Sequence, residues 1–208
     1  MARLKTGVLI SGRGSNLRAL IAACRDPAFP AEIVIVISNK ADAPGLAIAR
    51  DAGIPALALE PGEFADRAAF DGEIDRRLRA AGVELVCLAG YLRLLSDGFV
   101  EQWRDRLINI HPSLLPAFPG LHSHAQALAA GVMTSGCTVH FVRREMDKGP
   151  IILQESVPVL AGDTVASLAA RVLEAEHRIY PKALRLVAEG RVRIADGRAV
   201  IAGSDETD

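Results

Sequence analysis

Asn109 and His111 stand two residues apart in the stretch LINIHPSLLPAFPG, residues 107–120. In an extended segment, side chains two apart share one face, so an amide donor and an imidazole would project together. An amide donor beside an imidazole at the carboxyl end of a strand is chemically suggestive, and open α/β sheets place their ligands there. Pro112 ends the strand and biases His111 towards extended geometry. Pro116, Pro119 and Gly120 stiffen the loop that follows. The plainer alternative is a buried Asn and His satisfied by backbone groups. Asp147, in the polar loop Arg143 to Pro150, is an acid that could meet an imidazole arriving from another strand. Next to Lys-Gly-Pro, it could equally be a turn residue.

A second chemical signal is Ser11-Gly12-Arg13-Gly14-Ser15-Asn16, between an apolar run and a helical pattern. Strand, Gly-rich turn and helix start aim free backbone N–H groups and a positive dipole end at an anion. Ser15 or Asn16 would cap the helix and add donors. The pattern lacks the GK[ST] ending of a Walker loop and the third glycine of GxGxxG, so it points to a phosphorylated small molecule and no further. An ordinary capped turn is the other option. His122 and His124 form an HxH pair without a local third ligand, and no metal is expected.

These groups need a frame, and the periodicity supplies one. Thr6–Ile10, Glu32–Ser38, Pro55–Leu59, Glu84–Ala89, Leu107–Ile110, Cys137–Val142 and Ile151–Val157 read as strands. Helices are expected after the Gly-rich turn, over Ala43–Ala52 and Arg67–Ala81, from His124 to near Gly131, and from Asp163 to Glu189. Asp163 or Thr164 would cap the last of these, and Pro181 would kink or break it. Arg191–Ile201, divided by Asp196-Gly197, reads as a hairpin, with the last seven residues frayed. Alternating strands and helices predict one α/β domain over residues 1–208. It would be a doubly wound, mostly parallel sheet of Rossmann-like topology with an antiparallel C-terminal addition. Such sheets gather ligand groups at the strands' carboxyl ends. The apolar turn Gly90–Leu95 would lie there too, lining a pocket or filling core.

The chain has 208 residues with 24 basic and 25 acidic side chains, a formal charge of −1. That balance gives no global field for nucleic acid or an anionic membrane, and neither partner is expected. No apolar run approaches a membrane span, and the N-terminus lacks the pattern of a signal peptide. Cys24, Cys87 and Cys137 are scattered through apolar segments, which favours free thiols and a reducing cytoplasm.

SGRGSN, AGYLRLL, NIHPSLLP, FPGLHSH, TVHFV and MDKGP, in this order, resemble the glycinamide ribonucleotide formyltransferases of purine synthesis. That family depends on 10-formyltetrahydrofolate, and the similarity runs from the first strand to the helix near Pro181. NIHPSLLP with the downstream Asp is shared with other folate formyl-transferring enzymes, whereas SGRGSN narrows the match. Arg13 departs from the Asn common at its place. The resemblance implies that the substrate amine attacks the formyl carbon on N10 of the folate. Asn109 would bind the oxyanion, His111 would stabilise it and donate a proton, and Asp147 would pair with His111. Gly14, Ser15, Asn16 and Glu176 would hold phosphoribosylglycinamide. The folate would lie against Arg67, Leu92, Arg93, Leu94, Leu95, Asn109, Arg143, Arg144, Glu145 and Met146. No metal is implied, and the assembly would be a monomer or homodimer. The initiator-tRNA formyltransferase carries an added C-terminal domain and a basic surface, and the formyltetrahydrofolate hydrolase an N-terminal regulatory domain. From the length, the neutral charge and a first strand by residue 6, neither is expected here.

Overall fold

The computed structural model describes residues 2–203. Strand β1 (Leu4–Ile10) leads through the Gly-rich turn to α1 (Ser15–Cys24), β2 (Ala31–Ser38), α2 (Pro44–Asp51) and a short β3 (Ala56–Ala58). Helix α3 (Arg67–Ala80), β4 (Leu85–Leu88), a brief α4 (Asp97–Gln102) and β5 (Leu107–His111) follow. Then come α5 (Ser123–Ala129), β6 (Thr134–Phe141), β7 (Ile151–Pro158), α6 (Val165–Ala188), β8 (Val192–Ala195) and β9 (Arg198–Ile201). Seven strands form one sheet in the order β3-β2-β1-β4-β5-β6-β7. The first five are parallel, and β6 runs antiparallel to both neighbours. The hairpin β8–β9 stands apart as a second, antiparallel sheet. This is the expected fold class.

The apolar strands are continuous because both sheet faces are covered. Val8 and Ile10 face a core shared with α1 and α6, whereas Leu9 between them faces the core under α3 and α4. Strand β5 divides in the same way: Ile108 and Ile110 join the first core and Leu107 the second. By that alternation Asn109 and His111 share Leu107's face, as their spacing predicts. On β6, Cys137, Val139 and Phe141 belong to the first core, which turns Thr138 and His140 to the same face as Asn109 and His111. Tyr180 of α6 is fully buried and donates to the carbonyls of Leu88 and Ile108 at 2.9 and 3.3 Å, tying the long helix to β4 and β5.

Three expectations are corrected, and one helix was not anticipated. Gly14, in the left-handed region at φ 73°, is the N-cap of α1; neither Ser15 nor Asn16 caps it, and no side chain does. Helix α6 begins at Val165 behind a Thr164–Ser167 capping box and runs through Pro181 without a break. Pro181 has no N–H to offer the carbonyl one turn back, but the buried Ile179, Tyr180, Ala183 and Leu184 hold the helix on either side. Strand β6 starts at Thr134, ahead of Cys137. The six-residue α4, capped by Ser96, has too short a pattern to be read from the sequence. Cys24, Cys87 and Cys137 are free and buried. Of the last seven residues, which the sequence suggests are frayed, Ala202 is tied down, its N–H donating to the Arg191 carbonyl at 2.7 Å, and residues 204–208 lie outside the described residues. Among the described residues no helix is long and apolar enough to cross a membrane.

Candidate active site

The antiparallel register sets the core of the site. Asn109 lies opposite His140, and His111 lies opposite Thr138. Two NxH and TxH segments thus form a polar square on one sheet face. The Asn109 Nδ2 donates to His140 Nε2 at 3.3 Å. His111 Nδ1 lies 3.4 Å from Asp147 Oδ2, and His140 Nε2 lies 3.7 Å from Asp147 Oδ1. His111 is 6% exposed and His140 2%. The other ring nitrogen of His111, Nε2, donates to the Phe118 carbonyl at 3.0 Å and lies 3.3 Å from the Ser123 hydroxyl. The structure therefore brings Asn109, His111 and Asp147 together.

How Asp147 arrives is a second finding. Because β6 runs antiparallel to β5, its carboxyl end lies beside Leu107, where Val142 N–H donates to the Leu107 carbonyl at 2.9 Å. The loop must therefore double back to reach His111. Asp147 itself turns the chain, in the left-handed region at φ 56°, and its Oδ2 accepts from Gly120 N–H at 2.8 Å. Gly149 lets the return pass close to β6, since a Cβ there would meet the Phe141 carbonyl oxygen at 1.6 Å. Phe118 and His122 also have positive φ, 53° and 62°. Left-handed backbone at a non-glycine residue costs on the order of 1–3 kcal/mol, and two of these residues, Phe118 and Asp147, meet His111 directly.

The loop after β5 is held by its own Ser113 and by side chains of β6 and β7. Thr138 Oγ1 donates to the Ser113 carbonyl at 2.7 Å and accepts from Leu115 N–H at 3.0 Å. Gln154 of β7 donates to that hydroxyl at 2.9 Å and to the Leu115 carbonyl at 2.8 Å. Ser113 donates to the Ala117 carbonyl at 2.6 Å. These bonds place the Phe118 carbonyl under His111. His140 and Thr138 carry a readable sign, a polar residue at every second place in TVHFV. The Phe118 carbonyl, a backbone group, carries none.

The Gly-rich turn lies at the switch point between β1 and β4. Ser11 N–H donates to the Gly90 carbonyl at 3.1 Å, and Leu92 N–H donates to Ser11 Oγ at 2.8 Å, so this turn and Gly90–Leu95 are tied. A Cβ at Gly14 would lie 2.7 Å from the Gly45 Cα, which leaves only glycine able to pass under α2. Arg13 is exposed, Ser15 half-buried and Asn16 buried. Asn16 Nδ2 donates to Glu176 Oε2 at 2.6 Å, joining α1 to α6. Burial pushes the Glu176 carboxyl up to about 7, against the lowering effect of the Asn16 hydrogen bond. The Asn16 Oδ1 is buried without a protein partner.

Leu92 and Leu94 are exposed on the turn after β4, as is Met146 beside Asp147. Arg93 packs 5.0 Å above the Phe70 ring. Arg67, exposed, opens α3 directly after the Asp66 cap. Arg143 pairs with Asp105, Arg144 with Glu101 at 3.0 Å, and Glu145 with Lys148 at 2.9 Å. The first two of these pairs tie the Asp147 loop back to α4 and the turn after it. Among the described residues no group of three or more His, Cys, Asp or Glu side chains is placed to hold a metal.

Comparison with known proteins gives this geometry a family. A model of the formyl transferase family matches residues 4–184. The phosphoribosylglycinamide formyltransferase of Escherichia coli (strain K12) is 47% identical over 94% of this chain and 92% of its own length. The trifunctional purine biosynthetic protein adenosine-3 of Gallus gallus is 52% identical over 93% of this chain. This chain spans only 19% of that relative's length. The crystal structure of glycinamide ribonucleotide transformylase 1 from Symbiobacterium toebii superposes with a TM-score of 0.94 at 53% identity, covering 96% of this chain and 94% of that one. The chain belongs to the phosphoribosylglycinamide formyltransferase family.

Proposed function

We propose that this chain transfers the formyl group of 10-formyltetrahydrofolate to the amine of phosphoribosylglycinamide, giving the N-formyl product and tetrahydrofolate in purine synthesis. The carrying observation is the joint placement of Asn109, His111 and Asp147 on the β5 face, with His111 Nδ1 3.4 Å from Asp147 Oδ2. The amine nitrogen forms a bond to the formyl carbon, and the carbonyl π pair moves onto oxygen. Asn109 donates to that oxyanion; losing such a donor costs about 10²–10³ in rate. His111, as imidazolium, sets positive charge beside it, and Asp147 holds the ring. The intermediate collapses as the C–N10 bond breaks, N10 gains a proton and the amine loses one. General acid catalysis of that kind contributes on the order of 10²–10⁴. Both nitrogens of His111 now face protein acceptors, Phe118 O and Asp147, so proton delivery requires one N–H to leave its acceptor.

In this reading the first turn of α1, with Gly14, Ser15 and Asn16, receives the ribose phosphate, and Glu176 faces the glycinamide end. The folate takes the side of Arg67, Leu92–Leu95 and Arg143–Met146. The chain works in the cytoplasm as one formyltransferase domain, on small molecules alone. The test is formyl transfer to glycinamide ribonucleotide and to its dephosphorylated form. The reading expects turnover of the first with a KM at least tenfold lower; equal KM values would remove the phosphate role from Gly14–Asn16, and transfer to neither would remove the function.

A further inference from the structure

His140 has no part in the scheme above, yet it is the most deeply buried polar ring in the site. Its Nδ1 lies 3.0 Å from the carbonyl oxygen of Phe141. A carbonyl only accepts, so Nδ1 carries a hydrogen. Its Nε2 lies 3.3 Å from Asn109 Nδ2, an atom that only donates when the amide is oriented this way. Nε2 must then be bare, and the ring must be neutral. We propose that His140, locked as the neutral Nδ1–H tautomer, is a positioning residue that orients the Asn109 amide, so that its second N–H points to the developing oxyanion.

Both alternatives are costly. An Nε2–H tautomer would set a lone pair against the Phe141 carbonyl and an N–H against the Asn109 N–H. The imidazolium would also bring an N–H to Nε2, which would turn to Asp147 Oδ1, 3.7 Å away, and compete with His111 for the same carboxylate. The charged groups facing His140 are Asp147 and His111. Burial, the largest influence, favours the neutral ring, as does His111; the Phe141 carbonyl and Asp147 oppose them, and the net direction is downward. Neutral His140 thus leaves Asp147 to His111 and keeps Asn109 from flipping. Neighbouring strands supply two imidazoles with different tasks, one charged in the reaction and one never charged.

The inference rests on the formyl-transfer reading for its catalytic meaning, and the experiment separates the two. Nitrogen-15 NMR of the unaltered chain, labelled at histidine, reads the tautomer directly. A protonated Nδ1 and bare Nε2 on His140 at neutral pH are expected, and an Nε2–H tautomer overturns the proposal whatever the chain catalyses. In kinetics, His140→Phe should lower kcat on the order of 10–100-fold, less than outright loss of an oxyanion donor, with both KM values kept. His140→Gln, which can place a carbonyl oxygen near the former Nε2, should recover part of the loss. Added to Asn109→Ala, His140→Phe should cost less than about threefold, because its effect runs through the amide. Full additivity of the two substitutions overturns the proposal.

Discussion

The two polar ends of the site are built differently. On β5 and β6 each ring nitrogen of His111 and His140 has a protein atom within 3.7 Å, and Asp147 is tied to Gly120 N–H as well as facing both rings. Between α1 and α6, Asn16 and Glu176 have each other, but Asn16 Oδ1 is buried and unpartnered and Glu176 is pushed up to about 7 by burial. The first region rests on a strand ladder and a cross-braced loop, so its geometry is set before a ligand arrives. The second holds polar groups whose burial is only partly compensated. A bound ligand that hydrogen-bonds those groups would relieve that cost. On the proposed function, the first end is the preorganised chemical centre and the second the end that takes up substrate.

Perturbing the preorganised end should show up in turnover. Asp147→Asn keeps a carbonyl to accept from Gly120 N–H, so the loop should stay folded, while His111 loses its counter-charge. A fall in kcat of about 10²-fold or more is expected, with thermal stability within a few degrees of the parent. The acid limb of the pH–rate profile should move as well; an unmoved limb would separate Asp147 from His111.

The binding end makes an opposite prediction, in stability. Glu176 holds its proton more tightly folded, at about 7, than unfolded, near 4.5. Its contribution is therefore fully present below about pH 4.5, falls as pH rises to 7, and is gone above. Glu176→Gln should remove this loss, making the chain more stable than the parent by about 3 kcal/mol at pH 8 and by nearly nothing at pH 4. Denaturant titrations at the two pH values decide it, and equal differences at both would sink the assignment. The same variant should bind phosphoribosylglycinamide more weakly.

A smaller effect tests the bracing of the first end. Thr138→Val leaves Leu115 N–H and the Ser113 carbonyl without their hydroxyl partner, costing about 1–3 kcal/mol. Because the Phe118 carbonyl under His111 depends on that loop, kcat should fall severalfold too; loss of stability alone would limit Thr138 to the fold. The smallest is Thr164→Ala, which removes the α6 cap and should cost about 1 kcal/mol without changing turnover.

Asn109 and His111 could be read from the sequence because a strand's two-residue period and a following proline fix their relation locally. The sheet core was equally legible, since buried parallel strands are unbroken apolar runs such as EIVIVIS. What could not be read was the reversal of β6. Strand, helix, strand normally implies a parallel crossover, but the seven residues of α5 do not carry the chain back to the amino ends of the parallel strands. That reversal puts His140 across from Asn109 and makes the Asp147 loop double back, so the role of His140 was invisible without register. Asn16 failed for a related reason: its type suits a helix cap, yet a carboxylate 160 positions away draws its amide inward.

The central claim is that the β5–β6 face moves a formyl group from folate to an amine. Supplying 10-formyltetrahydrofolate labelled with carbon-13 at the formyl carbon, and following that carbon by NMR, tests it most directly. With phosphoribosylglycinamide present, the label is expected on the acceptor nitrogen in step with tetrahydrofolate formed, and Asn109→Ala should slow its arrival by about 10²–10³. Label released as formate with the acceptor untouched, or arriving at parental rate in Asn109→Ala, would contradict the account.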